Sequence, residues 1–185
     1  MVLNTEIRTA ELVYAGQEIE ITETSASFYN ERQKAAVSLE KVLEQNKTFG
    51  IGMNGEISAV TFGLFAAEDL TAADGSVIPA DGLLEILSVD ENGHAVCKTD
   101  LPFGGFYLKE LSTDEHYILS NEKHPIVFEY AGQDAALVEI KANDGKPIDN
   151  DLIYGEIHGL KKDEDGNALG GAVIGLFKAD CTEFT

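Results

Sequence analysis

Short runs rich in Val, Ile, Leu, Phe and Tyr alternate along this chain with clusters of Gly, Asn and Asp. No window sustains the three-to-four-residue spacing of an amphipathic helix, so the pattern predicts an all-β chain folded as a sandwich. Strands are expected over residues 35–43, 57–67, 83–89, 94–99, 103–111, 116–119, 125–130 and 137–142. Asp90-Glu91-Asn92-Gly93 and Ala131-Gly132-Gln133-Asp134 supply turns, because Asn and Gly tolerate the positive φ of tight connections, and antiparallel pairing is the expected result. The glycine-rich stretch 46–55 reads as a surface loop or an added hairpin.

Alternate residues of a strand share a face, so the neighbours two places away reveal where a polar side chain points. Lys41 shares parity with Val37, Leu39 and Leu43, and Glu110 with Phe106 and Leu108. Asn150 shares it with Ile148 and Leu152 if that segment is extended. Three polar groups are thus expected on apolar faces. Lys34, which falls with Ser38 and Glu40, is a lesser rival to Lys41, and Asn143 is a rival to Asn150.

The chain also repeats itself. Tyr14-Ala15-Gly16-Gln17 recurs as Tyr130-Ala131-Gly132-Gln133, and Gly63-Leu64-Phe65 recurs as Gly175-Leu176-Phe177. The step from Asn30 to Lys41 equals the step from Asn150 to Lys161. A period of about 120 residues suits strung domains, being too long for a solenoid. Residues 1–30 are expected to close a preceding repeat, 31–155 to form a complete domain, and 156–185 to open a following repeat. A chain so bounded is expected to be a piece of a longer tandem array.

Composition narrows the partners. With 33 Asp and Glu against 13 Lys and Arg the formal charge is −20, which disfavours nucleic acid and anionic membranes. The two cysteines, Cys97 and Cys181, occupy non-equivalent repeat positions, so no disulfide framework follows. No apolar run is long enough to span a bilayer, and no membrane insertion of this segment is expected. His94, His116, His124 and His158 lack ligand spacing, and Asp163-Glu164-Asp165-Gly166-Asn167 lacks the final Glu of an EF-hand loop and reads as a turn. Neither metal nor cofactor is expected.

An unpaired buried charge costs more than a small domain can spare, so inward Lys, Glu and Asn must meet partners, shift their proton affinities, or react. An ordinary buried ion pair, or a Lys41 that snorkels to the rim, is one outcome. The other is chemical. A desolvated Lys loses its proton and becomes a nucleophile, and a desolvated Glu takes one up. Neutral Lys41 would attack the Asn150 amide while protonated Glu110 bonds the amide oxygen and relays protons to departing ammonia. Contact in a dry core supplies the effective concentration. The reaction would run once per molecule, which makes the protein no turnover enzyme.

The runs Ala36-Val37-Ser38-Leu39-Glu40-Lys41-Val42, Gly55-Glu56-Ile57-Ser58-Ala59-Val60-Thr61-Phe62-Gly63-Leu64-Phe65, Asp90-Glu91-Asn92-Gly93 and Phe106-Tyr107-Leu108-Lys109-Glu110 occur in an order that resembles the CnaB-type, SpaA-like repeats of Gram-positive surface adhesins and pilins. The resemblance runs from Asn30 to Asn150 and into both flanking segments. It implies an antiparallel prealbumin-like β-sandwich with strands of partial neighbouring repeats at both ends. It also implies an autocatalytic isopeptide bond with Lys41 as donor, Asn150 as acceptor and Glu110 as the catalytic acid. Asn30 and Lys161 then correspond to the acceptor and donor of the neighbouring repeats.

By the same resemblance the expected role is a structural stalk module at the cell wall or surface of a Gram-positive bacterium, its partners the adjacent repeats. A host-protein or glycan-binding domain, using loop 46–55 or loop 71–80, is the alternative. Scattered acidic residues without a paired spacing argue against a glycosidase. Contact between Lys161 of one chain and Asn30 of another is a further possibility, without bond formation, since no matched Glu accompanies that pair.

Overall fold

The computed structural model describes residues 1–180 except 12, 15, 19–24 and 72–73. Cys181, Ala15 of the first repeat motif, and part of loop 71–80 therefore lie outside the described residues. Among the described residues the regular structure is β, apart from two short 3₁₀ turns at Glu56–Ala59 and Ala142–Gly145.

Ten strands follow one another: β1 (Lys34–Leu43), β2 (Thr61–Ala66), β3 (Leu70–Thr71), β4 (Val77–Ile78), β5 (Leu83–Ser88), β6 (His94–Val96), β7 (Gly104–Ser112), β8 (Lys123–Phe128), β9 (Leu137–Lys141) and β10 (Ile148–Asn150). One antiparallel sheet has the order β5-β2-β7-β8. The other is organised around β1, which pairs with β9 along its first half, with β6 across its middle and with β10 at its end. The faces of the two sheets meet in one apolar cluster: Val37 and Leu39 of β1 and Ile148 of β10 pack with Phe62 and Leu64 of β2, Phe106 and Leu108 of β7, and Ile126 and Phe128 of β8. The alternation read from sequence is the cause, since the buried members of β1 and β8 are every second residue.

Several local expectations change. The β1–β9 and β1–β10 pairs are parallel, an exception within an otherwise antiparallel sandwich. The turns at 90–93 and 131–134 do not close ladders. β5 pairs with β2 while β6 pairs with β1, so the first turn carries the chain from one sheet to the other, and the second does the same between β8 and β9. The strand expected over 57–67 begins only at Thr61, because left-handed Gly55 opens a 3₁₀ turn that Ser58 closes through its hydroxyl to the Gly55 carbonyl. The strand expected over 94–99 stops at Val96, where the Glu85 carboxylate accepts from the backbone N–H groups of Lys98 and Thr99 and draws the chain off the sheet.

Segment 116–119 forms only a bridge, Tyr117 with Leu152. A small antiparallel ribbon, β3–β4, pairs Leu70 with Ile78 and Thr71 with Val77 where the sequence predicts no strand. Stretch 46–55 folds back through reciprocal bonds between Asn46 and Ile51. In 163–167, Asp163 accepts from the N–H groups of Asp165 and Asn167, forming the turn expected there.

Candidate functional site: a buried lysine, glutamate and asparagine

Three strands from two sheets converge on one point in the core. β1 delivers Lys41 on the face that carries Val37 and Leu39; β7 delivers Glu110 on the face of Phe106 and Leu108; and the last residue of β10 is Asn150. Their exposures are 1%, 2% and 3%, as low as the hydrophobic residues around them. Each faces inward because its strand parity leaves no other direction.

Lys41 Nζ donates to Asn150 Oδ1 at 2.8 Å and to the carbonyls of Val42 and Ile148, both at 3.1 Å. These three acceptors satisfy the three protons of an ammonium. Asn150 Nδ2 donates to both Glu110 oxygens, at 2.9 and 3.0 Å, and to Thr113 Oγ1 at 3.1 Å. Glu110 Oε1 lies 3.9 Å from Lys41 Nζ, and Oε2 accepts the Ser120 N–H at 2.8 Å. No buried side-chain nitrogen or oxygen among the described residues is left without a partner.

Burial lowers the Lys41 amine from 10.5 to about 8, against the opposing pull of the Glu110 and Asp149 charges. A neutral amine held against a carboxamide can add to its carbon, and the carboxyl beside the amide nitrogen is placed to move protons. Glycine shapes the approach. A Cβ on Gly93 would stand 2.1 Å from the Lys41 carbonyl oxygen, so only glycine lets the 90–93 turn lie flat on β1, where Lys41 N–H donates to the Gly93 carbonyl at 2.7 Å.

One expected contact differs. The sequence predicts Glu110 on the Asn150 carbonyl oxygen, whereas Glu110 meets the amide nitrogen and Lys41 holds the oxygen. A charged Lys41 can only donate, which turns Oδ1 toward it and Nδ2 toward the carboxylate.

The remaining candidates stand elsewhere. Asn143 sits at φ 53 in the second 3₁₀ turn, its amide spent on the Lys146 and Pro147 carbonyls. Lys34 is exposed, as are Asn30 and Lys161. Asn30 Oδ1 accepts from the Asn4 N–H. Thr113 was missed by the sequence reading: it follows β7 rather than lying in it, and strand parity carries no signal there.

No protein-family model matches the chain, and no curated protein matches it. Solved structures that it resembles include the major pilin SpaA of Corynebacterium diphtheriae, at 22% identity over 64% of this chain and 30% of that one, with a TM-score of 0.40. The pilus 2b backbone protein of group B streptococcus aligns at 14% identity over 71% of this chain and 47% of that one, TM-score 0.42. BcpA, the major pilin subunit of Bacillus cereus, aligns at 19% identity over 64% and 29%, TM-score 0.35. This chain spans less than half the length of each.

Proposed function

We propose that residues 31–155 are one stalk module of a Gram-positive surface protein, made rigid by an isopeptide bond between Lys41 and Asn150 that Glu110 promotes. Residues 1–30 and 156–185 belong, in this reading, to the preceding and following repeats. The observation that carries it is the 2.8 Å contact between the Lys41 amine and the Asn150 amide beside a carboxyl group, all three shielded from water.

The shared proton passes from Lys41 to Glu110, leaving a neutral amine and a carboxylic acid. Nζ adds to Cγ of Asn150. Glu110 gives its proton to Nδ2 and takes one from Nζ, the Cγ–Nδ2 bond breaks, and one ammonia leaves. One amide bond replaces another, so the cross-link needs neither oxidant nor metal. The reaction consumes its own side chains and does not turn over.

The geometry also suits load. Tension on a string of modules enters at the start of β1 and leaves after β10, and these two strands lie parallel with Leu43 opposite Asn150. A bond from Lys41, near the end of β1, to Asn150, at the end of β10, takes the 109 steps of chain between them out of the path of force. Single-molecule pulling through the two ends tests this. The expected trace shows no extension from the segment between Lys41 and Asn150, and release of that segment would overturn the role.

A further inference from the structure

Asn150 Nδ2 donates to both Glu110 oxygens, and its other side-chain contact is Thr113 Oγ1 at 3.1 Å. Thr113 is also set apart by exposure. Lys41, Glu110 and Asn150 are sealed at 3% or less, while Thr113 is partly exposed in the loop that leaves β7. Thr113 is therefore the one side-chain partner of the leaving nitrogen that belongs to a residue not sealed in the core.

We propose that Thr113 is a further catalytic residue of the cross-linking reaction, holding the amide nitrogen of Asn150 as it becomes ammonia and handing it out of the core. This rests on the reaction proposed above. As Nζ adds to Cγ, Nδ2 loses its conjugation and becomes pyramidal. Its lone pair turns to the Glu110 proton while an N–H stays bonded to Thr113 Oγ1. When the Cγ–Nδ2 bond breaks, the new ammonia is already bonded to the hydroxyl of the one partly exposed residue at the site. Ammonia held in a dry cavity can re-add to the new amide, so an outlet favours completion as well as rate.

The test follows ammonia loss over time by intact mass, after a short pulse of cell-free synthesis of the full chain. Thr113→Val keeps the shape and removes the acceptor; Thr113→Ala removes the acceptor and widens the gap; Thr113→Ser keeps the hydroxyl. Both hydroxyl-free variants are expected to lose ammonia about three- to tenfold more slowly, the worth of one neutral hydrogen bond, and Thr113→Ser to restore the natural rate. If Thr113→Val misfolds, Thr113→Ala decides. Natural rates in both Val and Ala, or a Ser variant as slow as Val, would overturn the role of the hydroxyl and leave the cross-link standing. A natural chain that folds and never loses ammonia would remove the reaction and this inference together.

Discussion

Lys41 Nζ and Asn150 Oδ1 lie 2.8 Å apart although 109 positions separate them in the chain. The parallel register of β1 and β10 sets Lys41 opposite Ile148 and Leu43 opposite Asn150. The amine must therefore reach along the diagonal, which a four-carbon stem allows and a shorter cation would not. Glu110 arrives from the facing sheet, so the cluster exists only when both sheets have closed. The proposed cross-link therefore requires the folded chain.

Lys41→Met, Glu110→Gln and Asn150→Ala are each expected to keep the full calculated mass and to unfold more easily than the natural protein. By the chain-entropy model for cross-links, losing a closure of this length costs roughly 4–5 kcal/mol. Lys41→Met should suffer most, because it also removes the cation that faces the buried Glu110 carboxyl. Denaturant titration of the three variants checks the order.

The rate of cross-linking is expected to hold steady near neutral pH and to fall above about pH 8. The reactive pair, a neutral amine with a protonated carboxyl, contains the same single proton as the ion pair, and that proton is lost as pH passes the depressed value of Lys41. Stability moves the other way. In a variant that cannot cross-link, Lys41 titrates lower in the fold than in the open chain, so its destabilising charge is fully present below about pH 8 and the fold gains stability between there and about 10.5. Comparing Asn150→Ala with Asn150→Ala/Lys41→Met across that range isolates the effect.

Gly93→Ala is expected to destabilise the module by at least 1–3 kcal/mol and to slow ammonia loss. The new methyl would meet the Lys41 carbonyl at 2.1 Å, at a φ of 84 that favours glycine, and the turn must lift from β1 at the residue that carries the amine. Melting temperature and mass over time report the two effects.

Asn143→Ala, by contrast, is expected to lose ammonia at the natural rate, since that amide is bound to its own turn. A full-mass Asn143→Ala protein would move the acceptor to that position.

Much of this was legible in the sequence because strands have a period of two. Lys41 and Glu110 were placed on apolar faces by their neighbours, and both are buried. Asn150 requires a further assumption, that the segment carrying Ile148, Asn150 and Leu152 is extended. What parity does not encode is pairing between distant strands: the sequence is silent on whether β10 lies parallel to β1. The turns at 90–93 and 131–134 misled for the same reason, since a tight turn fixes a reversal but not whether the next strand stays in its sheet. Thr113 and the Ser120 N–H are supplied by loops, where no periodicity exists.

The most direct test is the intact mass of the folded natural protein, followed by fragmentation of any linked peptide. The expected result is a mass lower by one ammonia and a branched peptide joining Lys41 to Asn150. A folded protein at its full calculated mass, with both residues recovered in separate unmodified peptides, would contradict the account.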